Sequence, residues 1–278
     1  MVRQNNKTAD ELARYWTRIG ARFTVLPASR YLDPEKLIAA TANLVPQDYR
    51  LFFSAATWVG THYELLNSRR LRNELLQLEN RSSAIAGALL TVALELTPEA
   101  SLLQSATEHC RPLQKPEPLF EQHAGSSVLL EKVKSGCLPC FSRWGLWHDE
   151  VTFKRGAIRP IQWIRRNCPE LRIRELLGAN LEADIMQEVG VLELTVSELS
   201  RILGTTYAAT HDAVSRLVRR GLLEKGKEGN KRPLSVPGDL AEWFACYPVP
   251  AEPALRIYEK GSARYSGALE RLAGMDSE

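Results

Sequence analysis

The sequence predicts a mainly α-helical chain, with a long helical N-terminal part followed by a small helical unit that ends in a two-stranded hairpin. Three observations predict it. Apolar residues recur at the period of a helix face through most of residues 1–168. No stretch there alternates apolar with polar residues as a half-buried strand does. From residue 194 the chain reads LTVSELSRILGTTYAATHDAVSRLVRRGLLEKGKEGNKRPLSVP, where helix starts, glycine stops and a turn-rich loop follow in order. A chain of 278 residues with 44% hydrophobic and 25% charged residues has ample material for a core and suits one large domain or two to three small ones.

The elements follow in chain order. Residues 8–23 place Leu12, Tyr15, Trp16 and Ile19 on one helix face. Pro34 opens a helix over 33–44, in keeping with proline's preference for the first turn. Residues 47–66 carry Leu51, Phe52, Ala55, Trp58, Val59 and Leu66, and 68–79 are amphipathic with basic residues at the start. Asn80 or Ser82 caps the next helix, which runs into Thr97-Pro98, and Pro98 starts another. Its most apolar run, AIAGALLTVALEL over 84–96, is interrupted by Glu95 and too short to span a bilayer. Three prolines in RPLQKPEPLF mark a sub-boundary at 111–120. A short helix near 127–134 and a longer one over 152–167 follow, and Cys168-Pro169 ends the latter. The expected division is a helical domain over 1–168, a linker over 169–180, a compact domain over 181–237, and a C-terminal loop and helix over 238–278. In that last part an amphipathic helix over 254–273, with Leu255, Tyr258, Leu269 and Leu272, is a candidate dimer contact.

The N-terminus, MVRQNNKTADELARYW, lacks the apolar run of a secretory signal. Five irregularly spaced cysteines then read as reduced thiols, and a cytoplasmic location is expected, with no membrane partner.

The strongest signal lies in 181–237. Residues 181–191 form a preceding helix with Ile185, Val189 and Leu192 on its inner face. Thr195 and Glu198 form a capping box that starts a helix over 196–203. Gly204 supplies the turn and Thr206 caps a second helix, whose inner face is Thr210, Ala213, Val214, Leu217 and Val218. Gly221 stops it, with Arg219 and Arg220 in the last turn. Residues 222–225 and 233–236 read as two strands joined by a Gly-, Asn- and Lys-rich turn. This order resembles the winged helix-turn-helix superfamily of bacterial transcription regulators, and TVSELSRILGTTYAATHDAVSRLVRRGLL is similar to the DNA-binding halves of the GntR and MarR families. The resemblance covers about forty residues and none of the helical first two-thirds.

The resemblance implies binding to double-stranded DNA, with the second helix of the turn in the major groove. Its outer face offers Thr205, Tyr207, Ala208 and His211 to base edges, and Thr206 to a helix amide or a phosphate. Arg216, Arg219 and Arg220 point toward the backbone, as do Lys225, Lys227, Lys231 and Arg232 on the wing. Between Arg201 and Arg232 there are eight basic residues and three acidic ones (Asp212, Glu224, Glu228), a local excess of five against +3 for the whole chain. Winged helices also serve as protein–protein modules, and terminal arginines often only complement a helix dipole. Such regulators act as dimers, so a homodimer is expected, with an effector or protein partner at the helical domain. A repressor is the first reading. An antitoxin-like protein that neutralises a partner enzyme and autoregulates its operon is the alternative.

A second basic stretch, 154–174, holds Lys154, Arg155, Arg159, Arg165, Arg166, Arg172 and Arg174 against Glu170. It either extends the DNA footprint or is a solvated helix face. Cys137-Leu-Pro-Cys140 has the spacing of half a zinc site, without a second pair. Arg143 to His148 (RWGLWH) fits the loose R-x4-H pattern of HEPN ribonucleases, although its two tryptophans suggest packing. No phosphate loop, nucleophile elbow or carboxylate cluster is present. Neither catalysis nor a cofactor or metal is expected.

Overall fold

The apolar face of the first helical segment folds as α1 (Val2–Arg18), which buries Leu12, Tyr15 and Trp16. It both starts and ends earlier than the expected 8–23. Gly20 takes a φ of 106°. Ala21 then forms an antiparallel bridge with Ile158, and the Arg22 amide donates to Ala157 O at 2.7 Å. The computed structural model describes residues 2–44, 48–190, 193–226, 232–238 and 240. Over these the chain is mainly helical, with fourteen α-helices and two small two-stranded sheets. It divides into two units, one covering Met1–Trp163 and a second beginning at Ile164.

In the first unit, α2 (Pro34–Leu44) is followed by α3 (Tyr49–His62) and α4 (Ser68–Leu76). Asp48 caps α3 by accepting from the amides of Arg50 and Leu51, and Asn67 caps α4 by accepting from that of Arg70. Next come α5 (Asn80–Leu94) and α6 (Ser101–Thr107). The latter starts at Ser101 and not at Pro98. Ten residues of α5, from Ser83 to Ala93, are buried, so beyond its first turn the helix offers solvent little surface. It lies at the centre, with α2, α3 and α6 packed on it. Close approach of α3 depends on Gly60, where a Cβ would lie 2.8 Å from Ala93 O. Trp16 and Trp58 meet edge to face at 5.5 Å. Their buried indoles donate to Thr41 Oγ1 and Ile19 O, each at 2.9 Å, so neither N–H is left unpaired.

The proline-rich loop contains β1 (Glu117–Pro118). After α7 (Glu121–Ala124), α8 (Ser127–Ser135) and α9 (Pro139–Ser142), β2 (Leu146–Trp147) pairs with it in parallel. Strands of two residues are too short to show alternation, which is why the sequence does not reveal them. Of the helix expected over 152–167 only the last part forms, and it ends at Asn167 as expected. A single 3-10 turn, Arg155–Ala157, precedes α10 (Ile161–Asn167). Pro160 accounts for the difference, since a mid-helix proline removes a donor and drives the residue before it out of the α region.

The second unit holds α11 (Pro169–Leu177), α12 (Leu181–Val189), α13 (Val196–Ile202) and α14 (Tyr207–Arg219). Most of the expected linker over 169–180 is therefore helix. Pro169 ends one helix and occupies the first turn of the next, and Ile173 of α11 joins the core. Asn180 caps α12 by accepting from the amides of Glu182 and Ala183. After α14, β3 (Glu224–Lys225) pairs antiparallel with β4 (Leu234–Ser235), and Leu194 bridges Leu234. Ile185, Met186, Leu199, Val214 and Leu217 form a fully buried centre. Arg174 and Asp184 are buried beside it, with Nη2 3.9 Å from Oδ1. The helix expected over 254–273, with its dimer contact, lies outside the described residues, as do Lys227 and Lys231. No helix among the described residues is long and apolar enough to cross a membrane.

Candidate nucleic-acid interface

The capping box read from the sequence is formed at the start of α13. Thr195 Oγ1 accepts from the Glu198 amide at 3.3 Å, and Glu198 Oε2 accepts from the Thr195 amide at 2.8 Å. Gly204 closes the helix at φ 59°: its amide donates to Arg201 O, and that of Thr205 donates to Ser200 O at 2.9 Å. This is a Schellman motif, and Gly221 repeats it after α14 at φ 71°, with Leu222 N donating to Leu217 O at 2.9 Å. Each glycine allows the left-handed residue that the motif requires. Both ends of the α13–turn–α14 segment are thus fixed locally.

Thr206 caps α14, its hydroxyl accepting from the Ala209 amide at 3.2 Å, which is the helix-amide role open to it in the sequence. Thr205 is half-buried, with Oγ1 2.7 Å from that of Thr210. Inward, Thr210, Ala213, Val214 and Leu217 are buried. Outward, Tyr207, Ala208, Ala209, His211 and Asp212 are exposed. Tyr207 is 56% exposed, unusual for so large an apolar ring, and stacks on His211 with centroids 6.0 Å apart and planes 21° from parallel. His211 Nδ1 lies 3.7 Å from Asp212 Oδ1, which places a negative charge on this face.

Arg216, Arg219 and Arg220 are exposed near the C-terminus of the helix, with Lys225 on β3 and Arg232 before β4 also exposed. Two of them are not free. Glu182 of α12 accepts from Arg216 Nε at 2.6 Å and from Arg220 Nη1 at 2.9 Å. No signal in the sequence links Glu182 to arginines more than thirty positions away.

The second basic stretch is largely occupied by internal partners. Arg165 forks onto Glu175, with Nε 3.1 Å from Oε2 and Nη2 bonded to Oε1. Arg172 Nε donates to Arg165 O at 2.7 Å, closing the end of α10, and Arg174 is buried. Arg159 lies over the Trp163 ring at 5.3 Å. This leaves Arg155 and Arg166 as exposed cations of that stretch.

The remaining candidate chemistry sits elsewhere in the first unit. His148 is 3% exposed, enclosed by the rings of Tyr49, Phe53, Phe120 and Phe141 and stacked on His123 at 5.6 Å. Burial, helped by His123, pushes its pKa down to about 4. Arg143 is instead exposed against the Trp144 ring. One member of the R-x4-H pair is therefore core and the other surface. Cys137 Sγ donates to Leu146 O at 3.2 Å, and burial pushes the thiols of Cys110 and Cys140 up to about 12. Such thiols are unreactive near neutral pH. Among the described residues no group of three or more His, Cys, Asp or Glu side chains is arranged to hold a metal ion.

The chain matches no protein-family model, no curated protein and no solved structure.

Proposed function

We propose that this protein is a sequence-specific, double-stranded DNA-binding transcriptional regulator, a repressor, whose second unit is a winged helix-turn-helix domain with α14 as its recognition helix. The observation that carries the reading is the outer face of α14. An exposed Tyr207–His211 stack and two alanines occupy its N-terminal half, and arginines its C-terminal half, over an inner face where Thr210, Ala213, Val214 and Leu217 are buried and Val218 is partly buried. The first half suits base edges and the second suits phosphates. The regulator acts as a homodimer, since one helix in one groove reads only a few base pairs. The helical first unit senses an effector or binds a partner.

Fluorescence anisotropy tests this with a duplex from upstream of the protein's own gene against a scrambled duplex, at low and moderate salt. Tight, salt-dependent preference for the native duplex is the expected result. Equal binding to both leaves only a basic surface, and no binding to either sinks the reading. In the antitoxin-like alternative the first unit holds a partner enzyme. Val128 and Leu129 on α8 favour it, being 77% and 44% exposed. Neutralisation of a toxin encoded beside the gene would select it, with any duplex binding then serving to autoregulate that operon.

A further inference from the structure

Glu182 is fixed in the first turn of α12, where the helix dipole favours a carboxylate and Asn180 Oδ1 accepts its amide at 2.8 Å. Its side chain is 13% exposed, whereas those of Arg216 and Arg220 are 49% and 51% exposed. The two arginines stand one turn apart, Arg216 in the last turn of α14 and Arg220 at its C-cap, a spacing at which like charges repel. The shared carboxylate offsets that repulsion and holds both side chains. It engages Nε of Arg216 and Nη1 of Arg220, leaving both Nη groups of the first and Nη2 of the second as further donors. Two guanidiniums against one carboxylate leave a single positive charge, which matches the single negative charge of a phosphodiester.

We propose that Glu182 is a positioning residue that holds Arg216 and Arg220 as a preformed two-arginine seat for one backbone phosphate of duplex DNA. The inference rests on the DNA-binding reading above. Guanidinium forks suit phosphate oxygens, and arginines ordered beforehand lose less rotamer freedom on binding. Simple charge counting gives the opposite expectation. Removing a carboxylate beside a polyanion should tighten binding to every sequence and steepen the salt dependence. The sign of the effect separates the two.

The test uses the full chain, the upstream duplex and anisotropy over a series of salt concentrations. In Glu182→Ala, affinity should fall about tenfold and the salt slope should flatten by about one. Glu182→Gln keeps one neutral acceptor and should lose less, about threefold. Adding Arg216→Ala should cost far less in the Glu182→Ala background than in the parent, because the two act as one unit. Circular dichroism checks that each variant folds. If Glu182→Ala does not, the same cycle is run on Glu182→Gln. Parent-like or tighter binding by the folded Glu182 variant, with an equal or steeper salt slope, overturns the positioning role and leaves the DNA reading intact. Failure of the parent to bind any duplex overturns that reading and the seat with it.

Discussion

Gly87 and Trp144 touch so closely that a Cβ on the glycine would sit 2.6 Å from Cε3 of the indole. The contact is pinned on either side. Trp144 Nε1 donates to Thr91 Oγ1 at 2.9 Å, and that hydroxyl donates to Gly87 O at 2.8 Å. Alanine at position 87 improves helix propensity by about 1 kcal/mol, whereas overpacking a core costs about 1–3 kcal/mol. Gly87→Ala should therefore be net destabilising, lowering the urea midpoint of the full chain. A raised midpoint would show that the indole moves aside freely.

Gly221 makes the contrasting case. A Cβ there meets nothing within 4 Å, but the φ of 71° disfavours any residue with a side chain. Gly221→Ala should cost about 1–2 kcal/mol through conformation alone. Asparagine, which tolerates the left-handed region better, should recover part of the loss in the same denaturation assay.

On the outer face of α14, Tyr207→Ala and His211→Ala should reduce discrimination between the native and the scrambled duplex. Arg219→Ala should weaken binding to both alike and flatten the salt slope by about one. Variants that all bind like the parent would remove α14 from the recognition role.

His148 gives the first unit a pH dependence of defined sign. Its pKa is about 4 when folded, against 6.5 unperturbed, so the unfolded chain takes up the proton first. Its contribution to stability is complete above pH 6.5, declines as pH falls toward about 4, and changes no further below. His62 and His123, also lowered chiefly by burial, act in the same direction. Thermal melts across this range should show Tm falling with acidity, and His148→Phe should remove part of the fall. An unchanged profile in that variant would assign the dependence to other groups.

Local chemistry was the legible part of this sequence. Thr195 with Glu198, Gly204, Thr206 and Gly221 each act within a turn or two of themselves, and the helix limits they mark agree with α13 and α14. Prolines were legible only in part, because each can stop one helix and start another. Pro169 does both, and Pro160 interrupts a segment whose apolar spacing otherwise suits a helix. Long-range pairing was not legible. The partners β1 and β2 are two residues each, too short for a pattern, and the arginines of α14 meet Glu182 only through the packing of α12 on α14. Local counting of charge accordingly overstates how many cations in this region are unpaired.

The burial of α5 bears on how the first unit opens. Apart from its ends this helix has hardly any face at the surface, so its backbone amides have no local route to solvent. Fraying or loop motion elsewhere would leave them protected, and they should exchange deuterium only when α2, α3 and α6 separate from it together. Exchange rates along α5 would then report the free energy of opening the whole unit. A ligand or partner that binds the closed unit would slow all of them by a common factor, wherever on the surface it sits.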